Sequence, residues 1–269
     1  MPTKLLKLLR MTMKILALDI DGTLISPINE KNKIHNELQY LASYCQDKQF
    51  KIILATGRSK EEIYKDFYLI DILKPIFLIT NCGMEVFSQD NNDYIEHIDY
   101  ENFVNNHDDN ELFECEDFLK RLLPNIYIQG PERQFKHKKS YYIHADDIPV
   151  LHKYISEVAL KYKNTNVVVN FESKHVHFLD IQHASISKYG ALNFILTELK
   201  IHNDQALFFG DNGNDMSIMM NLKNAYIFNQ FQDELSLFYG IKNKNRFLGS
   251  LPGPKAIVET LKQDICDVM

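Results

Sequence analysis

Apolar runs of four or five residues, each closed by a polar turn, recur in the first and last thirds of the chain. Lys14-Ile15-Leu16-Ala17-Leu18 runs into Asp19-Ile20-Asp21-Gly22-Thr23-Leu24. Lys51-Ile52-Ile53-Leu54-Ala55 runs into Thr56-Gly57-Arg58, and Ala206-Leu207-Phe208-Phe209 into Gly210-Asp211-Asn212-Gly213-Asn214-Asp215. Unbroken apolar character at this length predicts strands buried on both faces, the kind found in parallel α/β sheets, whose carboxyl ends gather ligands. From Lys188 to Leu199 the period changes: Ala191, Leu192, Ile195, Leu196 and Leu199 fall on one face of an amphipathic helix. A lysine at a helix start can hold an anion.

Between Gly83 and Ser187 a different order appears. Glu111 to Leu122 predicts a helix, followed by strands at Asn125–Gln129 and Ser140–Ala145. A second helix over Asp147–Lys163 and strands at Val167–Phe171 and His175–Ile181 repeat that order. Helix, strand, strand, twice over, predicts an α+β insert with a four-stranded antiparallel sheet. The expected organisation is a discontinuous doubly wound core, residues 13–83 and 187–269, with an inserted lid over residues 84–186. Residues 1–12 read as a loose extension or an upstream start, basic and with too little apolar sequence for a secretory signal.

Composition narrows the classes. A chain of 269 residues, 45% hydrophobic and 25% charged, can bury a sizeable core. Its net charge of -6 argues against a nucleic-acid role, and the one basic run, Lys136-His137-Lys138-Lys139, reads as a solvated face. Cys45, Cys82, Cys115 and Cys266 show no CxxC spacing, so they read as free thiols of a reducing, cytoplasmic compartment with no zinc site. No apolar stretch approaches the roughly 20 residues of a membrane span. His175 and His177 alternate along a strand, either as a metal pair or as half-buried strand histidines.

The chemistry lies in the strand-end turns. Two carboxylates one residue apart, Asp19 and Asp21, at the carboxyl end of a buried strand suit binding a metal and attacking phosphorus, or merely cap a turn, Asp and Gly being ordinary turn residues. The ordered set of DxDGT, a strand-end Thr56, Lys188 and GDxxND resembles the four motifs of the haloacid dehalogenase superfamily of phosphatases. That resemblance implies a Rossmann-like α/β core. A phosphate ester repels an anionic nucleophile, so an attacking Asp19 needs a divalent cation and a lysine to offset charge before it can form an aspartyl-phosphate. Asp21 would protonate the leaving oxygen and then take a proton from water. Thr56 and Lys188 would hold phosphoryl oxygens, and Asp211 would supply a second carboxylate to magnesium. The resemblance further implies phosphate contacts from Gly57 and Asn214, a metal contact through the backbone carbonyl of Asp21, and support from Asp215.

The insert resembles the type IIB, or C2B, cap, and the chain as a whole is similar to sucrose-phosphate phosphatases and related sugar-phosphate phosphatases. Gly57-Arg58-Ser59 with Tyr64-Lys65, Gly83-Met84-Glu85-Val86, and His137-Lys138-Lys139-Ser140-Tyr141-Tyr142 carry that likeness. Phe135-Lys136 stand where those proteins have Arg-Pro, with Arg133 displaced. The likeness implies a small phosphorylated sugar as substrate and His137, Lys138 and Asp180 as insert residues that meet it. Two other classes share parts of the pattern. One is a phosphomannomutase-like transferase with the same pair of Asp roles. The other is a non-enzymatic phospho-accepting switch resembling bacterial response regulators, which needs neither the insert nor Asp21. Sugar identity and oligomeric state are not encoded in these motifs.

Overall fold

The computed structural model describes residues 13–25, 31–91, 93–241 and 246–267; residues 1–12 and the side chain of Cys266 lie outside the described residues. Twelve strands are present among them: β1 (Lys14–Leu18), β2 (Phe50–Ala55), β3 (Phe77–Thr80), β4 (Glu85–Asp90), β5 (Asp93–Glu96), β6 (Tyr127–Ile128), β7 (Lys138–His144), β8 (Thr165–Asn170), β9 (Val176–His183), β10 (Ala206–Gly210), β11 (Asn224–Phe228) and β12 (Phe247–Leu248). Eight form one sheet in the order β12-β11-β10-β1-β2-β3-β4-β5, and β6-β7-β9-β8 form a second.

The large sheet is parallel from β12 through β3, with β1 between β10 and β2. Alternation along each strand divides the apolar side chains between two layers. Ile15, Ala17, Ile53, Ala55 and Phe208 join the core on one face, while Leu16, Leu18, Ile52, Leu54 and Phe209 join the core on the other. Helix Lys188–Leu199 covers the first face with Ala191, Leu192, Ile195 and Leu196. Leu38 and Leu41 of helix Lys31–Asp47 and Ile257, Val258 and Leu261 of helix Pro254–Asp267 cover the second. This is the doubly wound core read from the sequence.

The lower boundary of the insert needs correction. β4 and β5 fall in the stretch assigned to the lid, yet they pair antiparallel with β3 and with each other as the edge of the large sheet. Helix Ile98–Asn105, capped by His97 and not anticipated from the sequence, follows them. The second sheet is antiparallel throughout. Helices Asn110–Leu122 and Ile148–Lys161 pack on one of its faces through Leu112, Cys115, Leu119, Leu151 and Val158. The two chain crossings lie side by side. Gly83 has φ +96, and a Cβ there would stand 2.3 Å from the Ser187 carbonyl carbon, so only glycine fits where the outgoing and returning segments meet.

Candidate active site

Asp19 follows β1 directly, and its amide donates to the Phe209 carbonyl of β10 at 2.9 Å, so sheet pairing holds the chain up to that residue. The turn then reverses tightly: Gly22 donates to Ile25, and Leu24 to Ile20. Gly22 has φ +74, and a Cβ there would stand 2.0 Å from Asp211 Oδ2. Glycine therefore lets the β1 and β10 turns touch.

Lys188 is the first residue of its helix, behind a Ser187 cap, and is fully buried. Its Nζ donates to Asp19 Oδ1 at 2.6 Å, Asp215 Oδ1 at 2.7 Å and Asn214 Oδ1 at 3.1 Å. Asp215 Oδ2 accepts the amides of Asp211 and Asn212 at 2.9 and 3.1 Å. Asp215 is thus satisfied by the protein itself. Asp211 is buried as well, and among the described residues no hydrogen-bond donor meets its carboxylate. Oxygens of Asp19, Asp211 and Asp215 lie within 4.8 Å of one another.

Three carboxylates are buried together and one ammonium pairs with two of them, Asp19 and Asp215, and their proton affinities reflect it. Burial pushes the Asp19 carboxyl up to about 7; Lys188 pulls it down, and Asp215 adds to the rise. Asp211 is raised well above the ordinary carboxylate value by burial, then by Asp19 and Asp215. Burial acts to lower the Lys188 pKa, but Asp19 and Asp215 outweigh it, so the ammonium stays charged. Asp211, unpartnered beside Asp19, fits a hard cation bound by oxygen. Asp215, expected only in support, belongs to the close cluster, and the carboxylate of Asp21 stands outside it.

Asp21 is 60% exposed and held by Arg58, whose Nε and Nη2 donate to its two oxygens at 2.7 and 2.5 Å. Arg58 Nη1 donates to Asp66 at 2.6 Å. Thr56, at the end of β2, is buried and accepts the Arg58 amide at 3.2 Å. The Arg58 fork was not read from the sequence, since Asp66 and Asp21 meet it only after folding.

A cavity of about 720 Å³ opens over these turns, with Asp19, Asp21, Gly57, Asp211 and Asn214 in its floor. Its roof is the bare face of the second sheet, including Lys138, Ser140, Tyr142, Phe178 and Asp180. Asp180 accepts from Ser140 Oγ at 2.6 Å. Lys138 is 2% exposed, with Nζ 5.3 Å from the centre of the Phe135 ring. The reading of Lys136–Lys139 as a solvated face therefore fails at its centre, because β7 begins at Lys138. Strand alternation sends Lys138 into the cavity and His137 to the opposite side. His137, expected to meet substrate, does not line the cavity; it is buried against Asp109, which pairs with its Nδ1. His177 also is structural: its Nδ1 accepts the Glu172 amide at 3.3 Å, its ring packs on Phe171, and burial lowers its pKa. His175 is exposed.

The sequence reading missed the seam between insert and core. Asn170 Oδ1 accepts the Asn214 amide at 2.7 Å, and Asn212 exchanges two hydrogen bonds with the Phe171 backbone, each of 2.9 Å. These residues join the end of β8 to the turn after β10. Cys45, Cys82 and Cys115 are free buried thiols, and Cys82 lines the cavity. No described helix is long and apolar enough to cross a membrane.

A doubly wound core with Asp, Thr, Lys and Asp at its strand and helix ends, roofed by an α+β insert, defines a phosphatase of the haloacid dehalogenase superfamily. The chain belongs to the sucrose-6F-phosphate phosphohydrolase family, whose model matches residues 12–263. Its fold is similar to that of the sucrose-phosphatase from Synechocystis sp. PCC6803, solved with sucrose and phosphate, at a TM-score of 0.68 and 19% identity over 93% of this chain and 97% of that one. It is similar also to a sugar phosphatase of subclass IIB, at a TM-score of 0.58 and 15% identity over 93% and 98% of the two chains. In sequence it is 23% identical over 242 residues to an uncharacterized hydrolase of Staphylococcus aureus (strain MRSA252), covering 83% of this chain and 89% of the relative.

Proposed function

We propose that this enzyme is a magnesium-dependent phosphatase that hydrolyses a small phosphorylated sugar through an aspartyl-phosphate on Asp19, in the cytoplasm. The observation that carries the proposal is the buried cluster of Asp19, Asp211, Asp215 and Lys188 beneath a polar roof.

Asp19 and Asp211, with the backbone carbonyl of Asp21 as the family likeness implies, would hold the cation, and Asp215 would keep Lys188 and the turn after β10 in place. When bound, magnesium would supply charge neutralisation for the phosphoryl oxygens and the attacking carboxylate. The remaining chemistry belongs to the chain. A carboxylate oxygen of Asp19 forms the new bond to phosphorus as the ester oxygen departs, and Asp21, which must first leave the Arg58 fork and take up a proton from solvent, gives that oxygen its proton. A water then attacks the aspartyl-phosphate, Asp21 takes the water's proton, and phosphate leaves with Asp19 restored. Thr56, Gly57, Asn214 and Lys188 would hold the phosphoryl oxygens, as the family likeness implies. Lys138 and Asp180 offer a donor and an acceptor to sugar hydroxyls on the other side of the cavity.

The test is a screen of sugar monophosphates with magnesium and with chelator, using Asp19→Asn as control. Steady phosphate release from one or more sugar phosphates, lost with chelator and in the variant, is expected. Release that requires a bisphosphate primer, or turnover unaffected by chelation, would contradict the proposal.

A further inference from the structure

We infer that Arg133 is a positioning residue that fixes the distance between the sugar-facing roof and the phosphoryl-facing floor, and so selects which ring position may carry the phosphate. The inference rests on the phosphatase reading above. Arg133 ends a short turn, Pro131–Arg133, between β6 and β7 of the insert. Its guanidinium crosses to the core, where Nη1 donates to the Gly57 carbonyl at 3.0 Å and Nη2 to Glu62 Oε1 at 2.7 Å. Gly57 lies between Thr56 and Arg58. Glu62 Oε2 accepts the Ser59 amide at 2.8 Å, closing the cap of helix Lys60–Lys65. One side chain of the insert thus grips both ends of the turn that carries Thr56, Gly57 and the arginine holding Asp21.

The insert end of this link is equally fixed. Gln134, next to Arg133, donates to the carbonyls of Gln129 and Ser140 at 3.2 and 2.9 Å and accepts the Ser140 amide at 3.1 Å. Ser140 in turn donates to Asp180. A continuous hydrogen-bonded path therefore runs from Asp180 in the roof to Gly57 in the floor. The Arg133–Glu62 pair is about one-third exposed on each side, and such pairs add little to stability. Its removal leaves the fold standing and releases the spacing. A planar fork with two donors fixes both separation and angle, whereas a lysine ammonium supplies one point of attachment.

The experiment compares Arg133→Ala, Arg133→Lys and Glu62→Gln with the unaltered enzyme. Gln at position 62 keeps an acceptor for the Ser59 amide but loses the charge that meets Arg133. Substrates are two phosphates of one sugar esterified at different carbons, and p-nitrophenyl phosphate as an ester with no hydroxyls for the roof to meet. Arg133→Ala should lower kcat/KM for the preferred isomer by about tenfold, mainly through KM, and shrink the ratio between isomers, with p-nitrophenyl phosphate within about twofold. Glu62→Gln should move the ratio the same way, and Arg133→Lys should restore less than half of it. An equal loss on all three esters, or an unchanged isomer ratio, overturns the inference. Hydrogen exchange supplies a readout that needs no turnover: Arg133→Ala should quicken amide exchange over both 57–62 and 129–134. If the unaltered enzyme hydrolyses no sugar phosphate, the proposed function fails on that result. Unchanged exchange in both segments would still separately overturn the Arg133 link.

Discussion

On the function proposed above, magnesium and a proton would compete for Asp19. With its carboxyl pushed up from 3.8 to about 7 by burial, Asp19 keeps a proton near neutrality that a bound cation must displace. For a pKa of about 7, roughly nine-tenths of Asp19 is protonated at pH 6 and about one-tenth at pH 8. Apparent magnesium affinity should therefore fall about tenfold from pH 8 to pH 6, or about 1.4 kcal/mol, with about 0.9 proton released per cation at pH 6 and about 0.1 at pH 8. Asp211, also raised, steepens the dependence. The linkage has a second consequence. A folded-state pKa above the unfolded one stabilises the protein below the unfolded value and is lost as pH rises through the folded one. The melting temperature of chelated protein should thus fall from pH 6 to pH 8, while the gain on adding magnesium grows. Titration calorimetry of magnesium into chelator-stripped protein, in two buffers of different protonation enthalpy, measures affinity and proton release together. A pH-independent affinity with no released proton would refute this account of the cluster.

Three further outcomes follow from named contacts. Asp21→Asn should slow the first-turnover release of alcohol from the sugar phosphate by about 10²–10⁴-fold while the nitrophenol burst from p-nitrophenyl phosphate, whose leaving group needs no proton, suffers less; equal losses in that first step would remove Asp21 as the acid. Lys138→Ala should lower kcat/KM for the sugar phosphate by about 10–100-fold, the range of a roughly 1.5–3 kcal/mol hydrogen bond from a charged donor, and leave p-nitrophenyl phosphate near its original rate. Unaffected sugar phosphates would place specificity elsewhere. His183 is buried in ring contact with His107 at 4.5 Å, and its pKa is lowered by burial, then by His107 and His137, against the opposite pull of Asp109 and Glu111. The unfolded chain takes up that proton first, so stability should fall as pH drops below about 6.5, and His183→Gln should flatten the acid-side decline in melting temperature. An identical decline would show that other groups govern it.

The parts legible in the sequence were those written in local pattern. Buried strands announce themselves as unbroken apolar runs, and their polar ends carry Asp19, Thr56 and Asp211. Helix period located Lys188 at a helix start. The helix-strand-strand repeat was legible for the same reason. What escaped depended on long-range pairing. β4 and β5 are half-polar strands at one end of the large sheet, where β4 pairs with β3 and β5 with β4, and nothing local distinguishes them from a strand pair of the insert. His137 was misplaced because face assignment along a strand turns on a single residue of register, and the likeness gave no register. Arg58, Asn170, Asn212 and Arg133 act across contacts of dozens of residues' separation, so their partners were hidden until the insert was seen to sit on the core.

The central claim is a covalent phosphate on Asp19, and rapid quenching tests it most directly. Enzyme mixed with excess sugar phosphate and magnesium, stopped in acid within a turnover and digested, should yield phosphate on the peptide containing Asp19. The adduct should vanish in Asp19→Asn and accumulate in Asp21→Asn with p-nitrophenyl phosphate, where formation proceeds but water activation is lost. Burst release of product with no phosphate on that peptide, or phosphate on a different residue, would contradict the account.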